Sequence, residues 1–180
     1  MYKKCEEILN KLESEGKIKI SDYQFPPKQE LKLKLKDMLE DEVDEKYYFN
    51  EKQLERMNNW KSFQNPLDNV LGKNSISPTI TTRIALSDGG GINASTKLYC
   101  IDINDNLNLR DNFYNKKIRY YTELECWLLM GFDKDDYIKS RQSLSELDLS
   151  NNQLRGCLYK QAGNSIVVNV LMAIFEELFK

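Results

Sequence analysis

Few side chains in this sequence are of a type that carries covalent chemistry. There is no histidine, and there are four cysteines, Cys5, Cys100, Cys126 and Cys157. Without an imidazole there is no Ser-His-Asp or Cys-His nucleophile system and no histidine-containing metal site. The cysteines stand far apart, form no Cys-x-x-Cys pair and never follow a proline, so they read as packed thiols. What remains is suited to binding and positioning. Pro78-Thr79-Ile80-Thr81-Thr82-Arg83-Ile84 is β-branched, and Asp88-Gly89-Gly90-Gly91 is a flexible loop. Gly163-Asn164-Ser165 reads as a helix start. There an Asn or Ser oxygen satisfies an orphan N–H, and uncommitted donors suit a carboxylate. Thr122 and Glu125 have the spacing of a capping box.

The elements that must hold these residues follow from periodicity. Over residues 2–15, Cys5, Ile8, Leu9 and Leu12 recur at helical intervals, and Gly16 ends this amphipathic helix. Pro26-Pro27 breaks the chain. Residues 30–41 fit two patterns: Leu31, Leu33 and Leu35 alternate with lysines as in a strand, whereas Leu31, Leu35 and Leu39 share a helical face. The second predicts a helix from about Leu33. The acidic run Glu40 to Glu45 reads as solvated surface. Asn50 caps a helix over 51–61, with Gln53 reaching back to it. From Ser62 to Ile118 short β-prone runs alternate with turn residues, including a strand over Leu98 to Ile103 closed by Asn104-Asp105-Asn106. Leu124, Trp127 and Leu128 line the helix opened by Thr122 and stopped by Gly131. Ser143-Leu-Ser-Glu146 forms a second box. The last helix, about Ser165 to Phe179, carries Val167, Val168, Val170, Leu171, Ile174, Phe175 and Leu178. That apolar arc exceeds one face, which predicts self-association if it is left uncovered.

The formal charge is −2, and only residues 61–123 are net basic, with 8 basic to 6 acidic side chains. This argues against holding nucleic acid by bulk electrostatics. The longest apolar stretch is interrupted by Asn169 and Glu176, too soon to span a bilayer. The N-terminus lacks the apolar core of a secretory signal. A cytoplasmic chain without membrane association is expected.

Residues 158–171, Leu-Tyr-Lys-Gln-Ala-Gly-Asn-Ser-Ile-Val-Val-Asn-Val-Leu, resemble the tenth and last signature motif of the DNA cytosine-5 methyltransferases. Residues 119–132, Arg-Tyr-Tyr-Thr-Glu-Leu-Glu-Cys-Trp-Leu-Leu-Met-Gly-Phe, resemble the ninth, Arg-x-Leu-Thr-x-x-Glu-x-x-x-Leu-x-Gly-Phe. Tyr23-Gln-Phe-Pro, Leu35-Lys-Asp-Met-Leu-Glu and Val43-Asp-Glu-Lys-Tyr-Tyr look like the approach to that family's target recognition domain. Pro78-Thr79-Ile80 and Gly89-Gly90-Gly91-Ile92 resemble its threonine strand and glycine loop. The resemblance covers roughly residues 22–178. Tyr121 departs from the usual leucine, Glu123 from the usual proline, and Asp133 from the proline after Gly-Phe. The Phe-x-Gly-x-Gly loop, the Pro-Cys nucleophile and the Glu-Asn-Val carboxylate are missing.

The resemblance implies an α+β chain: a helical lead over 1–61, a β-rich target recognition module over 62–118, and a helical part over 119–180 that would complete a methyltransferase core. Methyl transfer in that family needs a cysteine thiolate adding to a flipped-out cytosine, so no catalytic residue is expected here. What the resemblance implies is contact with double-stranded DNA by Thr79, Ile80, Arg83, Gly89, Gly90 and Gly91, where glycines let the backbone approach a base edge and Arg83 is a phosphate-contact candidate. Lys73, Lys97 and Arg110 are further phosphate-contact candidates. Asn164 and Ser165 would line the pocket of S-adenosylmethionine in the completed enzyme, whereas Arg119, Thr122, Glu125, Gln161 and Gly163 are structural. The partner implied is a polypeptide bearing the catalytic motifs. The alternatives are a non-catalytic sequence-specific DNA-binding remnant or regulatory protein, and an inert truncation product.

Overall fold

A computed structural model describes residues 10–17, 30, 32–59, 70–77, 80–81, 98–100 and 117–179. The chain divides into two units, one of residues Met1–Glu30 with Ile166–Lys180 and one of residues Leu31–Ser165.

In the first unit residues 10–14 are helical. The helix closes at Gly16, whose φ of 68° is the left-handed conformation that favours glycine. Gly16 N–H donates to the Glu13 carbonyl at 3.0 Å and Lys17 N–H to that of Leu12 at 2.9 Å, so the last carbonyls find partners. The earlier part of the predicted helix lies outside the described residues. The unit's other described element is the C-terminal helix, Val168–Leu178, which contains no buried residue and no side-chain cap.

The second unit begins with two short 3-10 turns, Leu35–Met38 and Glu45–Tyr47, then helix α1, Glu51–Asn59. Strands β1 (Val70–Leu71), β2 (Leu98–Cys100) and β3 (Ile118–Tyr120) form a sheet in that order. β1 runs parallel to β2 with Val70 opposite Leu98, and β3 runs antiparallel to β2 with Arg119 opposite Tyr99. Helices α2 (Glu123–Leu129), α3 (Lys134–Ser145) and α4 (Asn151–Asn164) follow; the C-terminal helix is α5. The core gathers Leu35, Val70, Ile118, Tyr121, Cys126, Leu158 and Ala162, none more than 1% exposed. The arrangement is α+β. Most of the expected recognition module, residues 62–118, lies outside the described residues. Ile80 and Thr81 are described but belong to none of the three strands.

Local signals hold where both partners lie within a few residues. Asn50 and Gln53 exchange hydrogen bonds at 2.9 and 3.0 Å at the start of α1. Gly131, at φ 86°, ends α2. There Gly131 N–H reaches the Leu128 carbonyl, Phe132 N–H reaches that of Trp127, and the Trp127 and Phe132 rings meet at a tilt with centroids 4.9 Å apart. Paired backbone bonds with an apolar contact across them are a recurrent helix stop.

Three expectations are corrected. No helix runs from Leu33: only one 3-10 turn forms, because Leu35 and Lys36 N–H groups donate to the Ser75 and Lys73 carbonyls at 2.9 Å instead of continuing a helix. The second capping box is not Ser143–Glu146, which falls at the end of α3. That helix already starts at Asp133, whose side chain caps Asp136 N–H. The box is Ser150 with Gln153, opening α4. Gly163-Asn164-Ser165 does not start a helix either: Gly163 and Asn164 end α4, Ser165 is its C-terminal cap, and α5 begins three residues later at Val168.

Candidate functional site

The first turn of α2 gathers two buried carboxylates, Glu125 at 0% and Glu123 at 3% exposure. Thr122 Oγ1 accepts the Glu125 N–H at 3.1 Å and the Glu125 carboxylate accepts the Thr122 N–H at 2.8 Å, the reciprocal box that the spacing predicts. The same carboxylate takes both terminal nitrogens of Arg119 at 2.8 and 2.6 Å and the Glu40 N–H at 2.9 Å. Arg119, 1% exposed, also donates to the Tyr120 carbonyl at 2.9 Å. Desolvating two ions costs several kcal/mol each; four N–H donors on one carboxylate offset that cost. Thr122 Oγ1 donates to Glu40 Oε2 at 2.5 Å. Glu40 is therefore half-buried and structural rather than part of a wholly solvated acidic run. This cluster fixes how α2 leaves β3.

Glu123 faces two other segments. Its Oε1 accepts Arg155 Nε of α4 at 2.5 Å and its Oε2 accepts the Tyr47 hydroxyl. The Arg155 guanidinium lies 4.8 Å from the centre of the Tyr47 ring, a cation–π contact. Burial, then the Glu123 hydrogen bond and charge, raise the Tyr47 phenol above its ordinary value. Burial works to lower Arg155, but the hydrogen bond and charge of Glu123 outweigh it and hold the guanidinium cationic. The Tyr159 hydroxyl donates to the Tyr121 carbonyl at 2.6 Å and Trp127 Nε1 to the Leu158 carbonyl at 3.1 Å, tying α4 to the strand end and to α2.

Tyr47, Glu123 and Arg155 border a cleft of about 760 Å³. Glu40, Glu42 and Asp44 stand among its acidic lining and Lys134, Arg141 and Arg155 among its basic lining; with Glu123 and Lys46 the two signs are equal in number. So balanced a lining gives no preference for an isolated phosphate. Among the described residues no group of three metal-ligating side chains occurs, and no helix is long and apolar enough to cross a membrane. Cys126 is buried, and burial followed by Glu125 and Glu123 pushes its thiol up, the opposite of an activated nucleophile.

The structure brings Arg119, Thr122 and Glu125 into one cluster. Gln161 sits apart on α4, accepting Ser140 Oγ of α3 at 2.9 Å, and Gly163 lies in the last turn of α4. Asn164 is exposed, and Ser165 Oγ donates to the Ala162 carbonyl at 2.7 Å. A helix end of free carbonyls carries partial negative charge, so these two residues do not fit the carboxylate of an amino-acid group in the way a helix start would. Thr79, Arg83, Gly89, Gly90 and Gly91 lie outside the described residues, as do Lys97 and Arg110. Ile80 is 4% exposed, its side chain in the core, and Lys73 is exposed. Sequence reasoning missed Tyr47 and Arg155. Glu123 was visible only as a departure from proline, with nothing local to name its partners.

Comparison with known proteins places this geometry. The chain is 28% identical over 215 residues to the orphan methyltransferase M.SPBetaI of Bacillus phage SPbeta, a match covering 89% of this chain and 45% of that protein. It is 30% identical over 177 residues to the type II methyltransferase M2.ScrFI of Lactococcus lactis subsp. cremoris, covering 88% and 37% respectively. The chain thus spans less than half the length of these relatives. Among solved structures, the Entamoeba histolytica methyltransferase EhMeth superposes with a TM-score of 0.59 at 19% identity, over 87% of this chain and 43% of that one, a likeness of fold. The family model of the C-5 cytosine-specific DNA methylases matches residues 5–180, and the chain belongs to that family.

Proposed function

We propose that this chain is the target-recognition and C-terminal portion of a restriction-modification DNA cytosine-5 methyltransferase, competent for methyl transfer only with a polypeptide segment bearing the cofactor and Pro-Cys motifs. The observation that carries this reading is a family match across residues 5–180 in a sequence with no cysteine after a proline. Among the described residues the fully buried thiol is that of Cys126, which burial raises away from the thiolate that the chemistry needs. S-adenosylmethionine, the methyl donor implied by the family, falls mainly to the partner segment, with the Asn164 and Ser165 side chains, and not a helix-start dipole, meeting it only in the completed enzyme. Readout of double-stranded DNA falls to the module over 62–118, with Thr79 and the Gly89–Gly91 backbone nearest the base edges, Arg83 a phosphate contact, and Ile80 buried instead of meeting a base. The chain's near-neutral charge suits recognition by short side chains and backbone more than by phosphate neutralisation.

The test is reconstitution. Methyl transfer to duplex DNA is measured for this chain, for a family segment carrying the missing motifs, and for the two mixed. Transfer by the mixture alone is expected. Transfer by the isolated chain, or none from a mixture whose catalytic segment works with its own recognition half, overturns the proposal. Tight sequence-specific binding by the isolated chain, with no transfer in the mixture, selects the non-catalytic reading.

A further inference from the structure

Glu123 makes contacts that its position in α2 does not require. The cap of that helix is completed by Thr122 and Glu125. Glu123 instead spends its two oxygens on different segments, Arg155 of α4 and the Tyr47 hydroxyl of the Glu45–Tyr47 turn. Arg155 in turn stacks on the Tyr47 ring. Each group touches the other two, so moving one breaks two contacts. Among the described residues the turn that this triangle grips is otherwise held by local bonds: Tyr47 N–H to the Asp44 carbonyl, Tyr48 N–H to that of Glu45, and Lys46 N–H to the Asp44 side chain. Immediately after it the chain meets the sheet: Tyr48 bridges Arg119, and Phe49 N–H donates to the Ile118 carbonyl at 2.9 Å.

We infer that Glu123 is a positioning residue, whose carboxylate clamps Tyr47 against Arg155 and so sets the register in which residues 48–49 pair with strand β3. A buried carboxylate shared between a cation and a hydroxyl holds both partners where water offers no substitute. When the charge goes, Arg155 and Tyr47 lose their common anchor and the Tyr48–Phe49 seam opens. The body of α2 stays closed because its own cap is intact. The inference rests on contacts within the unit of residues 31–165 and stands whether or not the reconstitution above succeeds.

Native-state hydrogen exchange on the full chain tests it, since local opening and global unfolding separate by site. In Glu123→Gln the Phe49 amide is expected to exchange about ten-fold faster or more, as befits a half-buried pair broken at its buried carboxylate. The Cys126 amide inside α2 and the Met130 amide that caps its end change by less than about two-fold. Tyr47→Phe removes one hydroxyl and keeps the ring under Arg155, so its effect is in the same direction and several-fold smaller. It decides the matter if Glu123→Gln does not fold. Arg155→Lys, which keeps the charge, recovers most of the Phe49 protection lost in Arg155→Met. An unchanged Phe49 amide, or Cys126 and Met130 amides that accelerate in step with it, overturns the inference.

Discussion

Arg119 and Glu125 pair at 1% and 0% side-chain exposure, which makes them asymmetric to mutation. Removing one partner strands the other charge away from water, so Glu125→Gln is expected to cost about 3–5 kcal/mol, read from urea unfolding. Replacing both by apolar residues of similar size costs much less than the sum of the single changes. The buried phenols give a second prediction at this scale. Burial, then Glu123, raise Tyr159; burial, then Cys126, raise Tyr121; burial alone lifts Tyr120 to about 12. A folded-state value above the ordinary 10 means that the folded chain keeps phenol protons the unfolded chain releases. The stabilisation is intact below pH 10 and declines as pH rises through the raised folded values. Unfolding midpoints in urea over a pH series from about 9 to 11 should fall at the alkaline end, and Tyr159→Phe should make the fall shallower.

α2 is a seven-residue helix held by its ends. Its start is the Thr122–Glu125 box and its stop is Gly131, which needs φ 86° to send its N–H back to Leu128 and to bring Phe132 onto Trp127. A Cβ at that backbone angle collides with its own chain, so Gly131→Ala is expected to cost about 1–2 kcal/mol in a thermal or urea melt. An equal substitution at Gly156, inside α4 with nothing within 4 Å of the added carbon, should be neutral or stabilising. α3 and α4 hold the other side of the cleft through polar links, Ser140 with Gln161 and Arg155 with Glu123, and through Trp127, whose ring meets Tyr137 at 6.0 Å.

At the scale of the whole molecule, the C-terminal helix and its flanks leave Ile166, Val170, Met172, Phe175 and Phe179 between 50% and 60% exposed. Large apolar side chains exposed on more than one face of a helix favour its association with itself or a partner. The isolated chain is therefore expected to gain apparent mass with concentration in light scattering. Val170→Ser with Phe175→Ser should suppress the gain while leaving the unfolding midpoint of residues 31–165 unchanged. A strict monomer across the concentration range contradicts this. In the proposed enzyme the same surface is covered by the catalytic segment, so adding that segment should also lower self-association.

The sequence by itself determined what depends on neighbours a few residues apart. The Asn50–Gln53 and Thr122–Glu125 boxes and the stops at Gly16 and Gly131 are all present, because capping closes within one helical turn. It also determined which residue types are available, since this sequence has no histidine and no Pro-Cys pair. Tertiary structure decided the rest. Glu123 meets Tyr47 across 76 residues and Arg155 across 32, and Glu125 meets Glu40 across 85, distances over which no periodicity carries information. The predicted helix at Leu33 failed because two of its amides found carbonyls near Ser75. α3 went unread because none of its residues is buried, leaving no apolar stripe to see. Asn164 and Ser165 fell at a helix end and not a start because α4, capped by Ser150, runs through the segment where only a glycine and two capping residues were visible.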